Sequence, residues 1–112
     1  RAHSNQSVYN ISKAAAAMAT KCAALEFGKH AIRVNAVCPT LVKTAATRSF
    51  LEAPGFTDWF RTITTLGEPV EADQVAQAVL FLAGEGSRNV TGVMLPVDSG
   101  EGLGPPAAEL PG

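Results

Sequence analysis

The sequence predicts an α/β fold built on parallel strands. Three observations predict it: a long alanine-rich helical stretch, Val8 to Phe27; a short β-branched stretch close behind it, Ala31 to Val37; and a second helical stretch, Val70 to Ala83, with a candidate last strand, Val93 to Val97, after it. Helix, tight link and strand recur in that order. Such αβ repetition implies a parallel sheet, because parallel neighbours need a long crossover where antiparallel ones need only a hairpin.

Each element has a local cause. Val8 to Phe27 holds Ala, Lys, Leu and Met without Pro or Gly, the composition of a stable helix. Ser4, Asn5 or Ser7 can cap its start, and Gly28 stands where a left-handed residue ends a helix. Val8, Ile11, Ala15, Met18, Cys22 and Leu25 form an apolar stripe, and the alanines between them allow close approach on other faces, so this helix expects neighbours on more than one side. Ala31 to Val37 reads as a strand that Cys38-Pro39 ends. Thr40 to Gly55 reads as loop or short helices, and Phe56 to Thr64 as a turn or two of helix stopped by Gly67-Glu68-Pro69. Val70 to Ala83 carries Glu71 and Asp73 in its first turn, where the helix dipole favours acid, and Gly84-Glu85-Gly86-Ser87 ends it. Pro96 would place the last strand, Val93 to Val97, at an edge or at a point where its N–H is unneeded. Asp98 to Gly112, heavy in Gly, Pro, Ala and Glu, reads as an unpacked tail, flexible over residues 101–112.

Two strands cannot bury about three such helices, so further strands are expected upstream, and the polar opening Arg1 to Ser7 reads as a segment entered partway through a domain. Hydrophobic residues make up 46% and charged residues 17% of the 112, which is globular rather than disordered. The net charge of −1 and the scatter of Lys29, Arg33, Lys43, Arg48, Arg61 and Arg88 argue against nucleic acid and for solvated surface cations. No apolar run approaches the roughly 18 residues of a membrane span, and no signal-peptide pattern appears. Cys22 and Cys38 form no CxxC pair and read as buried thiols of a reduced cytoplasmic protein. His3 and His30 lack a partner at helical ligand spacing, so no metal is expected.

Tyr9 and Lys13 carry the chemistry. Four residues apart, a phenol and an ammonium share one helical face. A neighbouring cation and the positive end of a helix both stabilise phenolate, so Tyr9 should be more acidic than the ordinary phenol near about 10. A proton donor tuned toward working pH is what carbonyl reduction needs, since the oxygen gains negative charge as hydride arrives. By spacing alone the pair is also what an exposed helix lysine beside a half-buried tyrosine gives.

The surroundings decide between these readings. Tyr9-x-x-x-Lys13, the alanine-rich helix with Ala24-Leu25-Glu26, Gly28, then Ile32-Arg33-Val34-Asn35-Ala36-Val37-x-Pro39 and Thr44 follow one another as in the short-chain dehydrogenase/reductase family, which the chain resembles. Leu66-Gly67, Val75-Ala76, Phe81-Leu82, Thr91-Gly92 and Val97-Asp98 also stand in family order, so the resemblance covers about Ser7 to Gly100. It implies the C-terminal part of a Rossmann-like doubly wound parallel sheet, a three-layer αβα fold incomplete in this chain. It implies Tyr9 as general acid/base that also contacts the cofactor, and Lys13 as holder of the nicotinamide ribose that also lowers the Tyr9 pKa. Pro39, Thr40, Val42 and Thr44 would lie along the nicotinamide, with the Val42 backbone and Thr44 hydroxyl near the carboxamide. Asn35 is expected to satisfy strand-end backbone.

Most of the family has Gly after the proline, whereas this chain has Pro39-Thr40. With His30-x-Ile32-Arg33-Val34-Asn35, Leu66-Gly67 and Leu95-Pro96-Val97, that departure resembles the branch of dicarbonyl and L-xylulose reductases. This implies NADP(H), with NAD(H) not excluded, a small carbonyl or sugar substrate, and a homotetramer. His3, Gln6 and Leu51 become substrate-pocket candidates, although Leu51 stands where that branch carries a large aromatic. The Gly-rich phosphate loop and the catalytic Ser and Asn are expected ahead of Arg1, and without them the chain by itself is expected neither to fold stably nor to turn over. A 3-oxoacyl or hydroxysteroid reductase, a non-catalytic module pairing through the Val8 to Phe27 helix, and an unrelated αβ domain are the alternatives.

Overall fold

In the computed structural model, residues 7–107 are described, apart from the side chain of Tyr9. In chain order the elements are α1 (Ser7–Phe27), β1 (Ala36–Pro39), β2 (Val42–Lys43), α2 (Arg48–Leu51), α3 (Phe56–Ile63), β3 (Val70–Glu71), α4 (Ala72–Ala83) and β4 (Met94–Val97), with short 3-10 turns between several of them. β1 pairs with β4, and β2 with β3. The described residues fall into two units, 7–38 with 76–95, and 39–75 with 96–107.

In the first unit, α1 forms over the predicted stretch. Its hydroxyl side chains fold back on the helix, Ser12 donating to the Val8 carbonyl at 2.8 Å and Thr20 to that of Ala16 at 2.9 Å. Its exit differs from expectation. Gly28 opens a 3-10 turn, Gly28–His30, and the left-handed residue is Ala31, at φ 58°, whose N–H bonds to the Gly28 carbonyl. The inserted turn moves the point of reversal three residues on. α1 buries Ala24, and a Cβ built on Gly92 would lie 3.6 Å from the Ala24 methyl. Small residues there let backbone and helix approach closely. The apolar stripe itself is exposed in this chain: Val8 is 80% and Leu25 84% accessible, and Ile11, Met18 and Cys22 are exposed as well. The expected burial of Cys22 is thereby corrected, while Cys38 is half-buried and both thiols are free.

The first strand is later than its sequence suggests. Residues 33–35 spend their hydrogen bonds on the 84–93 segment: Val34 N–H donates to the Thr91 hydroxyl at 3.1 Å, and Gly92 N–H to the Val34 carbonyl at 2.7 Å. The ladder starts where Ala36 N–H meets the Val93 carbonyl at 2.9 Å. Asn35 behaves as expected, its amide donating to the Val90 carbonyl and accepting from Val93 N–H, both at 3.0 Å.

Arg33, read from sequence as a solvated cation, is part-buried. It donates to the Ser87 hydroxyl at 3.2 Å and to the carbonyls of Val90 at 3.1 Å and Gly84 at 3.2 Å. Ser87, 1% exposed, donates in turn to the Phe81 carbonyl at 2.7 Å. The pair closes the carbonyls that the end of α4 leaves open. Hydrogen bonds from a charged donor contribute about 1.5–3 kcal/mol each and do not add fully, so Arg33→Met is expected to cost about 2–3 kcal/mol. Urea unfolding measures the loss, and faster amide exchange confined to residues 84–91 locates it.

In the second unit, β2 and β3 pair in parallel, Val42 opposite Val70 and Lys43 opposite Glu71. The reading of Val70 and Glu71 as the first turn of a helix is corrected. Val70 is β-branched, buried and bonded through its N–H to the Leu41 carbonyl at 2.9 Å, so a strand partner claims it and α4 starts at Ala72. Thr40 N–H reaches the Val97 carbonyl at 3.3 Å. Its partner advances in the same direction as that of Ala36, the pattern of a parallel ladder.

The core of this unit is aromatic. α3 starts after Gly55, left-handed at φ 81°, and buries Phe56 and Phe60, with ring centroids 5.3 Å apart and stacked. Thr64, 1% exposed, closes the helix by donating to the Phe60 carbonyl at 2.8 Å and accepting from Gly67 N–H at 3.2 Å.

Part of the stretch that composition marks as loose is tied down. The Asp98 carboxylate accepts from Gly100 N–H at 3.0 Å and Gly102 N–H at 2.9 Å, Leu66 N–H donates to the Ser99 carbonyl at 2.9 Å, and a 3-10 turn covers Glu101–Leu103. Gly100 sits at φ 85°, where a Cβ would come within 2.6 Å of the Thr65 side chain, so only glycine fits.

Candidate functional site

α1 positions the pair that chemistry singles out. Tyr9 lies in its first turn and Lys13 one turn further on, the spacing that puts both on one side of the helix. No acidic residue stands in that first turn, so the positive end of the helix is uncompensated there. Lys13 is exposed. Both belong to the first unit, and Pro39, Thr40, Val42, Thr44 and Leu51 belong to the second. His3 and Gln6 lie outside the described residues.

In the second unit the chain after β2 is fastened by one side chain that sequence reading passed over, Thr47. Thr44 is extended, at φ −138° and ψ 169°, and caps the 3-10 turn Ala45–Thr47. Thr47 N–H donates to the Thr44 carbonyl at 3.2 Å, and Thr44 N–H donates to the Thr47 hydroxyl at 3.0 Å. The same Thr47 hydroxyl reaches the Val42 carbonyl at 2.7 Å. Val42 and Thr44, the two residues assigned to a carboxamide, are therefore cross-linked through a third.

An open cavity of about 550 Å³ adjoins Thr44, lined by Lys43, Thr44, Ala45, Arg48, Leu51 and Glu52. The structure thus brings Thr44 and the pocket candidate Leu51 to one cavity. Thr40 is committed differently: its hydroxyl donates to the Glu101 carboxylate. A primary carboxamide both donates and accepts, and a threonine hydroxyl beside backbone polar groups at a strand end, open to a cavity, is a polar set that fits it.

Two ion pairs flank this loop. Arg48 meets Glu52 at 3.3 Å, one turn apart, and Lys43 meets Glu71 across the strand pair at 2.6 Å. The hydrogen bond to Glu71, and then its charge, raise the Lys43 pKa above the ordinary lysine value. A raised cation stabilises the fold below its unfolded pKa and loses that contribution as pH rises through the folded value. Because both side chains are about half exposed, solvent screens the pair. Lys43→Met is accordingly expected to leave the urea midpoint at neutral pH unchanged; a clear drop would show that the pair matters more than exposed pairs do.

Among the described residues, no group of three or more His, Cys, Asp or Glu is arranged to hold a metal, and no helix is long and apolar enough to cross a membrane.

Comparison with known proteins agrees with this architecture. Residues 1–101 match the family model described as enoyl-(acyl carrier protein) reductase. The L-xylulose reductase of Mesocricetus auratus is 44% identical over 100 residues, which are 89% of this chain and 41% of that protein. The chain spans about two-fifths of the length of the curated relatives it matches. A short-chain type dehydrogenase/reductase from Mycobacterium ulcerans aligns with a TM-score of 0.80 at 30% identity, covering 88% of this chain and 36% of that one. 4-Hydroxyisoleucine dehydrogenase, solved with NADH, aligns with a TM-score of 0.83 at 26% identity, over 88% of this chain and 40% of its own. The helices and parallel strand pairs are thus part of a Rossmann-like fold, and the chain belongs to the short-chain dehydrogenase/reductase family.

Proposed function

We propose that the full-length protein is an NADPH-dependent carbonyl reductase of small sugars and α-dicarbonyls, with L-xylulose and diacetyl as its test substrates and NADH as the alternative cofactor. The observation that carries this reading is the placement of Tyr9 and Lys13 one turn apart at the start of α1, in a chain 44% identical to an L-xylulose reductase. A bound nicotinamide dinucleotide supplies the hydride. Tyr9 gives its phenolic proton to the carbonyl oxygen as the carbon is reduced, and Lys13 holds the nicotinamide ribose and stabilises the phenolate left behind. Val42 and Thr44 hold the carboxamide, Pro39 and Thr40 form the floor beside it, and Leu51, with His3 and Gln6, borders the substrate.

The exposed apolar side chains Val8, Ile11, Met18 and Leu25 support a homotetramer in which α1 is covered. The free thiols Cys22 and Cys38 agree with a cytoplasmic location. The description of the matching family model favours a second reading, reduction of the carbon–carbon double bond of an enoyl thioester.

A substrate panel separates the two. NADPH oxidation by the full-length protein is expected to be faster, by kcat/KM, with L-xylulose and diacetyl than with enoyl or 3-oxoacyl thioesters or steroid ketones, by about tenfold or more. The reverse order would replace the first reading with the second.

A further inference from the structure

We infer that Thr47 is a positioning residue for cofactor binding: it sets the hydrogen-bonding polarity of Thr44 and fixes the spacing between Thr44 and Val42. The inference rests on the proposed reading of Val42 and Thr44 as holders of the carboxamide, and it follows from counting protons. The Thr47 hydroxyl has one proton and two lone pairs. Four groups surround it: the Val42 carbonyl at 2.7 Å, Thr44 N–H at 3.0 Å, the Thr44 hydroxyl at 3.2 Å and the Thr44 carbonyl at 3.3 Å. The shortest contact, to the Val42 carbonyl, takes the proton. One lone pair accepts Thr44 N–H, which has no other role than donor. The second can then only accept, so in the pair of hydroxyls Thr44 is the donor.

This has a consequence for Thr44. Its proton points to Thr47, while Thr47 N–H bonds to the Thr44 carbonyl at 3.2 Å. What Thr44 offers to the cavity it lines is lone pairs, acceptors only, and a carboxamide answers an acceptor with its NH₂ group. Without the Thr47 hydroxyl, the Thr44 proton is released to rotate, and the Val42 carbonyl and Thr44 N–H lose their common anchor. A short 3-10 turn needs no such third tie to Val42 in order to be capped. That extra bond, across five residues, sets Thr47 apart from an ordinary cap.

The test compares two ligands on the full-length protein by calorimetric titration: NADPH, and 2′-phospho-ADP-ribose, which lacks the nicotinamide. Thr47→Val keeps the shape and removes the hydroxyl. It is expected to weaken NADPH about tenfold, the factor of one net hydrogen bond, and to leave the ribose fragment unchanged. Thr47→Ser is expected to restore NADPH binding, and Thr47→Val added to Thr44→Val should weaken it no further. Thr47→Ala serves in place of the valine variant if that one does not fold. Equal affinity of wild type and Thr47→Val for NADPH, or an equal loss for both ligands, would overturn the inference while the cofactor reading stands. Failure of the wild type to bind NADPH or NADH would overturn both.

Discussion

Tyr9→Phe in the full-length protein is expected to lower kcat for carbonyl reduction by about 10²–10⁴, the usual contribution of a positioned general acid. NADPH affinity should stay essentially unchanged. The substitution removes one oxygen and keeps the ring. If the phenol acts only on the reacting carbonyl, its loss falls on the chemical step and not on cofactor binding. Lys13→Met should behave differently, because the ammonium is assigned two tasks, the ribose and the phenolate. It is expected to raise the cofactor dissociation constant and lower kcat together. The pH profile adds a further check. Reduction needs the protonated phenol, so an alkaline fall in kcat/KM of the wild type should be missing from the residual activity of Tyr9→Phe. Equal losses of turnover and cofactor affinity in Tyr9→Phe would instead make Tyr9 a structural residue.

Phe60→Ala has the largest expected effect on stability. Phe60 is 1% exposed, stacks on Phe56 at 5.3 Å and meets Trp59 at 6.2 Å. Truncation loses the transfer free energy of the ring and leaves a cavity that neighbouring rings cannot fill without giving up their own contacts. The expected cost is about 3–5 kcal/mol, read in urea as a lower midpoint at unchanged slope. Phe50 offers the control. It meets Phe56 edge-on at 5.4 Å but is 52% exposed, so Phe50→Ala should cost clearly less. Similar losses at both positions would mean that the aromatic cluster, and not the buried ring, holds this unit together.

Several elements were legible in the sequence because their causes are local. α1 follows from alanine content, α3 and α4 from apolar periodicity and the glycines around them, and the Tyr9 and Lys13 spacing from helix geometry alone. What could not be read is what distant partners decide. Val34 and Asn35 look like strand residues by composition, but their bonding groups are taken by residues 90–93, some 57 positions away. Val70 and Glu71 look like a helix start until β2 is placed beside them, 28 residues earlier. Arg33 resembles any surface cation until the chain end of α4 arrives over it. The stretch after Val97 is rich in glycine, which composition equates with looseness. Here a single carboxylate, Asp98, gathers the backbone of two of those glycines. Thr47 escaped notice because a threonine three residues after a threonine is a weak version of the usual capping pattern, and the bond to Val42 that distinguishes it has no sequence signature.

The central claim is hydride transfer to a carbonyl carbon. The most direct measurement uses cofactor carrying deuterium at the transferring position of the nicotinamide, incubated with the full-length protein and L-xylulose, with the product analysed by mass spectrometry. One deuterium on the new carbinol carbon is the expected result. Product without deuterium, or oxidation of the cofactor without any reduced sugar, would contradict it.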